Sequence, residues 1–357
     1  MVTYIIRRLL LVPVLLFGVT VVIFLMLQFL TPVERASLYI RQIPKNPGQI
    51  AGTIRRYHLD DSLPVQYYHW LVGIKDTNTD GTPTIRGGVL RGDLGWSRVG
   101  SQTVVDVIKE RFPATAELAL WAFIPIIGVG VWLGIQAAIN HNNIIDQLAR
   151  VFSIIGYSFP IFVFGLLALM LFYAKLHWFM PGRVSDWVSA EIISGAFPIH
   201  TKLISVDALL NGRFDVFLDT LRHLVLPVLT LSYVSWAQFL RITRSSMLES
   251  LGQDYMTTAK AKGVSKRDQI NKHALPNALI PVATIAGFTV IGLLGGVVIT
   301  ETIFTYPGIG SMAARAAANL DIVTVLGFAL FNGTILIIAN LATDILYAVL
   351  DPRVRLS

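Results

Sequence analysis

Six long apolar runs, almost empty of charge, dominate the chain: residues 9–30, 115–140, 151–174, 223–241, 277–300 and 322–350. About 20 such residues wound as an α-helix cross the hydrocarbon core of a bilayer. No water is available there, so the backbone N–H and C=O groups must bond to one another, which a helix does within a single segment. The sequence therefore predicts an all-α polytopic membrane protein with six transmembrane helices. Composition agrees, with 54% hydrophobic and 14% charged residues where soluble domains carry about 25% charged. The first run exceeds the usual secretory h-region, and "LTPVERAS" behind it offers no small-x-small cleavage site, so it reads as a retained anchor. The chain has no Cys, which excludes disulfides, thiolate metal sites and a cysteine nucleophile.

Charge then orients the spans. Arg7 and Arg8 precede the first, Arg353 and Arg355 follow the last, and Arg241, Arg244, Lys260, Lys262, Lys266, Arg267 and Lys272 crowd the connection between the fourth and fifth. Lys and Arg in short flanks mark the cytoplasmic side, and six spans return both termini to it. The net charge of +7 is thus a topology signal and does not point to nucleic acid. Residues 31–110 hold ten Lys and Arg against eight acids, but long segments translocate largely regardless of charge.

The expected organisation is an N-terminal tip with the first helix (1–30), an external lobe (31–110), and a core with the remaining helices (111–357). The lobe reads as folded because Tyr57, Tyr67, Tyr68, Trp70 and Trp96 stand among turn signals such as "NTDGTP" and "RGDLG", aromatics that a disordered linker lacks. Residues 175–221, with "HWFMPGR", form a second external segment, long enough for short surface helices.

The basic connection, residues 242–276, is patterned. Leu248, Leu251, Tyr255 and Ala259 recur at helical spacing, one face of an amphipathic helix. Gly263 fits the left-handed residue that ends helices, and Ser265 with Asp268 three residues on resembles a capping box. Pro276 biases Leu275 away from helical geometry and is expected to close a second short helix before the fifth span. Periodicity and charge alone would fit a helix lying on anionic lipid. The fixed turn instead suits a compact knob for a protein cleft.

Other features carry two readings each. Gly130 with Gly134, and Gly292 with Gly296, are GxxxG pairs that serve either association with a second subunit or packing within one bundle. Pro160, Pro227 and Pro281 either kink spans or are tolerated in them. Asp344 is an intramembrane acid near the inner boundary, where it reaches water, and Glu117 reads as a favourable charge at the start of its helix. No H-E-x-x-H, no G-x-S-x-G and no G-x-x-x-x-G-K-[ST] occurs, and the seven His are scattered. An enzyme reading therefore has no motif to stand on, and nucleotide energy has to enter through a partner. A self-sufficient secondary carrier usually shows paired discontinuous helices with intramembrane charges, and these runs have almost none.

Residues 255–282, "YMTTAKAKGVSKRDQINKHALPNALIPV", resemble the cytoplasmic loop of permease subunits in ATP-binding-cassette importers, in the variant of the dipeptide and oligopeptide permeases. The general loop runs Glu-Ala-Ala, three residues, Gly, nine residues, Ile, one residue, Leu-Pro. Here Thr257, Thr258 and Ala259 hold the first positions, then Gly263, His273 and Leu275-Pro276. "GDLGWS", "RFPATAELAL", "HLVLPVLTLS", "RITRSSMLESLGQDY", "ETIFTYPGIG" and "DILYAVLDPRVR" are similar to that subfamily in the same order. The resemblance implies a type I importer fold in the cytoplasmic membrane of a prokaryote. It also implies a second permease subunit, two ATPase subunits binding ATP and Mg²⁺, an external solute-binding protein, and a peptide substrate. Similar permeases move nickel complexes, glutathione or sugars. It implies that Leu251, Tyr255 and Ala259 fill an apolar cleft on the ATPase. Lys260 and its basic neighbours rim the contact, while Ala261, Gly263, Ser265, Leu275 and Pro276 shape the loop. No cofactor is implied for this chain itself.

Overall fold

The computed structural model describes residues 2–40, 47–77 and 82–350; Asp80, Arg353, Arg355 and the side chain of Asp344 lie outside the described residues. In chain order come α1 (Val2–Leu27), α2 (Pro32–Tyr39), α3 (Pro47–Arg56) and α4 (Leu63–Val72), then strands β1 (Ile74–Thr77), β2 (Pro83–Arg86), β3 (Trp96–Ser97) and β4 (Gln102–Thr103). Helices α5 (Val104–Ile139), α6 (Ile144–Ser158), α7 (Ile161–Ala168), α8 (Asp186–Ser194), α9 (Ile204–Leu210) and α10 (Phe214–Leu251) follow. The remainder is α11 (Asp254–Ala261), α12 (Lys266–Asp268), α13 (Leu275–Leu294), α14 (Val298–Ile303), α15 (Ile309–Ala318) and α16 (Ile322–Leu350).

The helical membrane architecture expected from the apolar runs is present, with one difference. Five stretches are single helices long and apolar enough to cross a bilayer: Ile6–Leu27, Val104–Ile139, Phe214–Leu251, Lys266–Leu294 and Ile322–Thr343. The third run is instead two helices, Ile144–Ser158 and Ile161–Lys175, bent by 98°. Pro160 is the cause. A proline disfavours the helical region for the residue before it, and here Phe159 is extended at φ −96°, ψ 115°. Pro227 and Pro281 lie inside continuous helices. The helix of the second run begins at Val104, so Glu117 is well inside α5 rather than at its N-terminus.

The chain divides into two compact units, Val2–Phe112 with Met312–Ile338, and Pro113–Ser311 with Ala339–Ser357. In the first, the lobe aromatics pack on α1. Phe24 meets Tyr67 and Trp70 at ring distances of 5.3 and 5.8 Å, and the Tyr67 hydroxyl lies 2.8 Å from Thr20 Oγ1. Strands β1 and β2 pair antiparallel from Ile74↔Arg86 to Thr77↔Pro83. The end of the "GDLGWS" segment and the turn after it are held by Asp321, whose carboxylate accepts from the Ser97 hydroxyl at 3.2 Å, from the amides of Arg98 and Val99 at 2.8 and 3.0 Å and from the Thr324 hydroxyl at 2.7 Å.

In the second unit, α10 is the central element, packed by α6, α7, α9 and α13. Its 38 residues extend about 57 Å at 1.5 Å per residue, well beyond a hydrocarbon core. The ridge Ala114, Leu118, Ala122 and Ile126 of α5 interlocks with Leu224, Leu231 and Phe239 of α10 and with Val282 and Leu293 of α13, i,i+4 rows meeting across helices. A Cβ at Gly130 would stand 2.6 Å from Phe239 Cβ, and one at Gly134 2.8 Å from the Leu240 carbonyl. This glycine pair therefore serves packing within the chain. The pair Gly292 and Gly296 does not form a stripe on one helix, because α13 ends at Leu294 and Gly296 has turned to φ +94°. A Cβ at Gly296 would meet the Gly310 amide nitrogen at 3.1 Å, whereas Gly292 faces open space.

Candidate functional site

Two places in the second unit are candidates for a functional role. The first is the basic connection. Helix α10 ends at Leu251, Gln253 is extended, and α11 begins at Asp254. Gly263 sits at φ +73°, where its amide donates to the Lys260 carbonyl at 3.0 Å and the Val264 amide to the Ala259 carbonyl at 3.1 Å. These two bonds are the Schellman pattern, which needs a left-handed residue after the helix, a conformation glycine adopts without a Cβ clash. Ser265 then caps the next helix, its Oγ accepting the Asp268 amide at 3.2 Å and donating to Oδ2 of the same residue at 3.0 Å.

Two details of the connection differ from expectation. Pro276 closes nothing: Leu275 is helical at φ −59°, ψ −45°, and the helix runs on from α12 into α13. A π-helical stretch, Gln269–Ala274, stands directly before it, with the Leu275 amide bonded to the Ile270 carbonyl five residues back. This wider turn gives room for the proline ring, which in a regular helix collides with the carbonyl four residues earlier. The face drawn through Leu248, Leu251, Tyr255 and Ala259 is also broken, by the Gly252–Gln253 step. Leu248 and Leu251 pack with Met247, Met256, Ala274 and Ala278 inside the chain, and Ala259 is 8% exposed. Asp254, Tyr255, Thr257, Thr258, Lys260, Ala261, Lys262 and Gly263 are exposed along this turn. The outer surface is therefore polar and basic with one aromatic ring, not an apolar ridge.

Behind the connection, Arg244 of α10 forks onto Asp146 of α6 at 2.6 and 2.8 Å. Asp146 is fully buried, accepts the Asn142 amide at 3.0 Å, and lies 3.7 Å from Arg150. In the sequence Arg244 counts only as cytoplasmic charge; its pairing with a residue almost a hundred positions away has no local signal.

The second place is a carboxylate cluster that sequence reasoning missed. Glu117 has no exposed surface. Its Oε1 accepts from the Ser205 amide and hydroxyl at 2.6 and 2.7 Å, and its Oε2 from Arg183 Nη2 at 2.7 Å and the Tyr306 hydroxyl at 3.3 Å. Glu301, equally buried, accepts from the Thr115 hydroxyl and the Ser311 amide, both at 2.8 Å. Burial pushes the Glu301 carboxyl above its ordinary range, and these donors pull it back only partly. Thr115 Oγ1 in turn accepts the Ile309 amide at 2.9 Å. A Cβ at Gly308 or Gly310 would collide with the Glu301 carboxylate, which explains the small residues of "YPGIG". Thus "RFPATAEL" supplies Thr115 and Glu117, "HWFMPGR" supplies Arg183, and "ETIFTYPGIG" supplies Glu301, Tyr306 and both glycines. Both carboxylates are engaged by fixed donors, so the cluster ties segments together and presents no free base.

A Ser, His and Asp also meet at Ser185, His223 and Asp219. Asp219 accepts from the Ser185 hydroxyl at 2.5 Å and amide at 2.9 Å, and His223 Nδ1 lies 3.1 Å from the Pro181 carbonyl. Ser185 Oγ also lies 3.2 Å from His223 Nε2, and Asp219 Oδ2 stands on that same side of the ring at 4.0 Å; with Nδ1 on a carbonyl and the acid bonded to the serine, this is not the order a nucleophilic triad requires. No group of three or more His, Asp or Glu among the described residues could hold a metal ion.

Residues 130–356 match the family described as binding-protein-dependent transport system inner membrane component, and residues 1–119 match the family of its N-terminal region. The chain is 35% identical over 358 residues, covering 99% of each chain, to the dipeptide transport system permease protein DppB of Escherichia coli K12. It is 36% identical over 357 residues to the di/tripeptide transport system permease protein DppB of Pseudomonas aeruginosa UCBPP-PA14, again covering 99% of each chain. The dipeptide transport system permease protein DppB of Alkalihalophilus pseudofirmus OF4 is 36% identical over 355 residues, covering 99% of this chain and all of its own.

Proposed function

Because this chain belongs to the family of binding-protein-dependent transport system inner membrane components, we propose that it is the peptide-conducting permease subunit of an ATP-driven importer. The substrate class is di- or oligopeptides, in keeping with the names of relatives that align over almost the whole chain. The chain works with a second permease subunit, two ATPase subunits that bind ATP and Mg²⁺, and an external solute-binding protein. Both termini and the basic connection lie in the cytoplasm, while the lobe at 31–110 and the segment at 175–221 face the binding protein.

The observation that carries the reading is the Gly263 turn. It fixes α11 against α12, and the pair is joined at either end to a long spanning helix, α10 and α13, which pack on each other. A rigid knob so placed is displaced as a body by ATPase closure, and α10 and α13 follow it as levers that alternate the open side of the path. Tyr255 is the ring that enters the ATPase cleft, and Lys260, Lys262, Lys266 and Arg267 steer the encounter. Leu251, Ala259, Leu275 and Pro276 hold the knob from behind, and Ala261 and Ser265 shape its turn. Gly292, open to its surroundings, is the remaining candidate for contact with the second permease.

Purification of the assembled complex with its binding protein, followed by mass spectrometry of the co-purified ligand, tests the substrate class. Peptides are expected, and a metal chelate or sugar in their place would overturn it. Alkaline phosphatase fused after Ser357 is expected to be inactive and the same reporter inserted at Asp80 active; the reverse pattern would refute the orientation.

A further inference from the structure

Within the unit Val2–Phe112 with Met312–Ile338 lies a cavity of about 470 Å³, in the range of small-molecule sites. One wall is apolar, made by Phe24 of α1, Trp70 of α4, and Leu326 and Leu330 of α16. Arg35 and His69 also line the cavity.

Arg35 is the unusual group. It is 8% exposed, and a buried cation is costly unless paired. Among the described residues no carboxylate forms an ion pair with it. Its Nη1 donates to Gln28 Oε1 and Gln66 Oε1, and its Nη2 to the Leu59 carbonyl at 3.1 Å. All three acceptors are neutral. A guanidinium has five N–H bonds, and the Nε–H of Arg35 is buried with no acceptor. Burial accordingly lowers its pKa. His69, on the same cavity, has a second buried nitrogen without a partner, Nδ1. The acids that line the cavity are used elsewhere: Asp93 Oδ1 accepts the Gly95 amide at 2.9 Å and Asp106 Oδ2 the Thr103 hydroxyl at 2.6 Å. The other lining cations differ from Arg35, since Arg86 pairs with Asp76 at 3.0 Å and Arg91 Nε bonds the Val72 carbonyl at 3.1 Å.

We propose that this cavity binds a small amphipathic carboxylate, its anionic head at Arg35 and its apolar body against Phe24, Trp70, Leu326 and Leu330. A carboxylate is the acceptor whose two oxygens match the side of a guanidinium and supply the missing counter-charge. An alcohol or amide would satisfy the hydrogen bond and leave the charge unpaired. Two sources share this chemistry, the C-terminus of a short apolar peptide and a fatty acid released from lipid.

The test uses the whole complex in phosphatidylcholine nanodiscs without the binding protein, titrated calorimetrically with the dipeptide Leu-Phe, its C-terminal amide, decanoate and decanol. Diazirine-bearing forms of the dipeptide and decanoate locate the site by mass spectrometry. At least one carboxylate is expected to bind and to label the segments around Trp70 and Leu326, with its uncharged counterpart weaker by about tenfold or more, as for loss of a charge-assisted hydrogen bond. Binding by Leu-Phe identifies the peptide source, and binding by decanoate the lipid source. Arg35→Gln is expected to weaken binding by a similar factor. Leu326→Trp, which narrows the apolar part of the cavity and leaves Arg35 in place, is expected to weaken binding by about tenfold or more without lowering the unfolding temperature. Absence of binding by both carboxylates, equal binding of the uncharged forms, labelling elsewhere, or unchanged affinity in both variants would overturn the proposal.

Discussion

The basic knob and the buried carboxylate cluster are both built around glycines and capped carboxylates or hydroxyls, yet they are held together in opposite ways. The knob is local. Its defining bonds join residues three to five apart, from Lys260 and Ala259 to Gly263 and Val264, and from Ser265 to Asp268. The cluster is long-range, joining Thr115 to Glu301 and Glu117 to Arg183, Ser205 and Tyr306. A local motif keeps its shape while it moves as a body, which is what a transmitting element needs. A cluster whose members come from four distant segments fixes those segments to one another, and loosens them all if it fails.

That contrast can be broken at either end, and the largest effect is expected at the cluster. Glu117→Ala removes the acceptor shared by Arg183, Ser205 and Tyr306 and leaves a guanidinium unpaired, a loss of about 3–5 kcal/mol for a buried pair cut on one side. Thermal unfolding of the detergent-solubilised complex should show a marked drop or loss of assembly. Unchanged unfolding would mean that the cluster does not hold the segments.

Ala259→Asp comes next, because Ala259 faces the interior of the chain and an unpaired charge there costs a few kcal/mol. It should lower the unfolding temperature of the complex as well as its activity. Tyr255→Asp, on the exposed side, should weaken ATPase docking with unfolding unaltered. If the two variants behave alike, the inner and outer sides of α11 have been assigned wrongly. Ser265→Ala removes a helix cap worth about 1 kcal/mol and should reduce peptide-stimulated ATP hydrolysis in part. The smallest effect belongs to Lys260→Ala on the exposed rim, where single surface charges contribute little. It should alter the salt dependence of ATPase association and leave uptake close to normal, and a total loss would show the rim to be a specific contact.

The same contrast explains what could be read from the amino-acid sequence. Gly263, Ser265 and Asp268 announce the turn and cap because those signals act within a few residues. The spans announce themselves through their missing charge. Glu117 gave no such signal: an acid near the start of an apolar run reads as a helix-end charge until α5 is seen to begin at Val104. Nor does "ETIFTYPGIG" reveal that its glycines clear space for Glu301, since the collision exists only in three dimensions. Pro276 misled for a related reason. The π-helical stretch that accommodates it has no sequence signature beside the strong expectation that proline ends a helix. Ala259 was placed on an outward face because 3.6-residue periodicity was carried across Gly252, where the helix stops.

The central claim is that the Gly263 turn transmits ATPase motion as a rigid local unit, and Gly263→Val tests it most directly. Valine at φ +73° is strained by about 1–2 kcal/mol, enough to re-aim α12 without disturbing the distant cluster. The measurement is peptide-stimulated ATP hydrolysis by the variant complex in proteoliposomes, alongside its unfolding temperature. The expected result is normal insertion, a nearly unchanged unfolding temperature and lost stimulation; full stimulation by a normally inserted variant would contradict the claim.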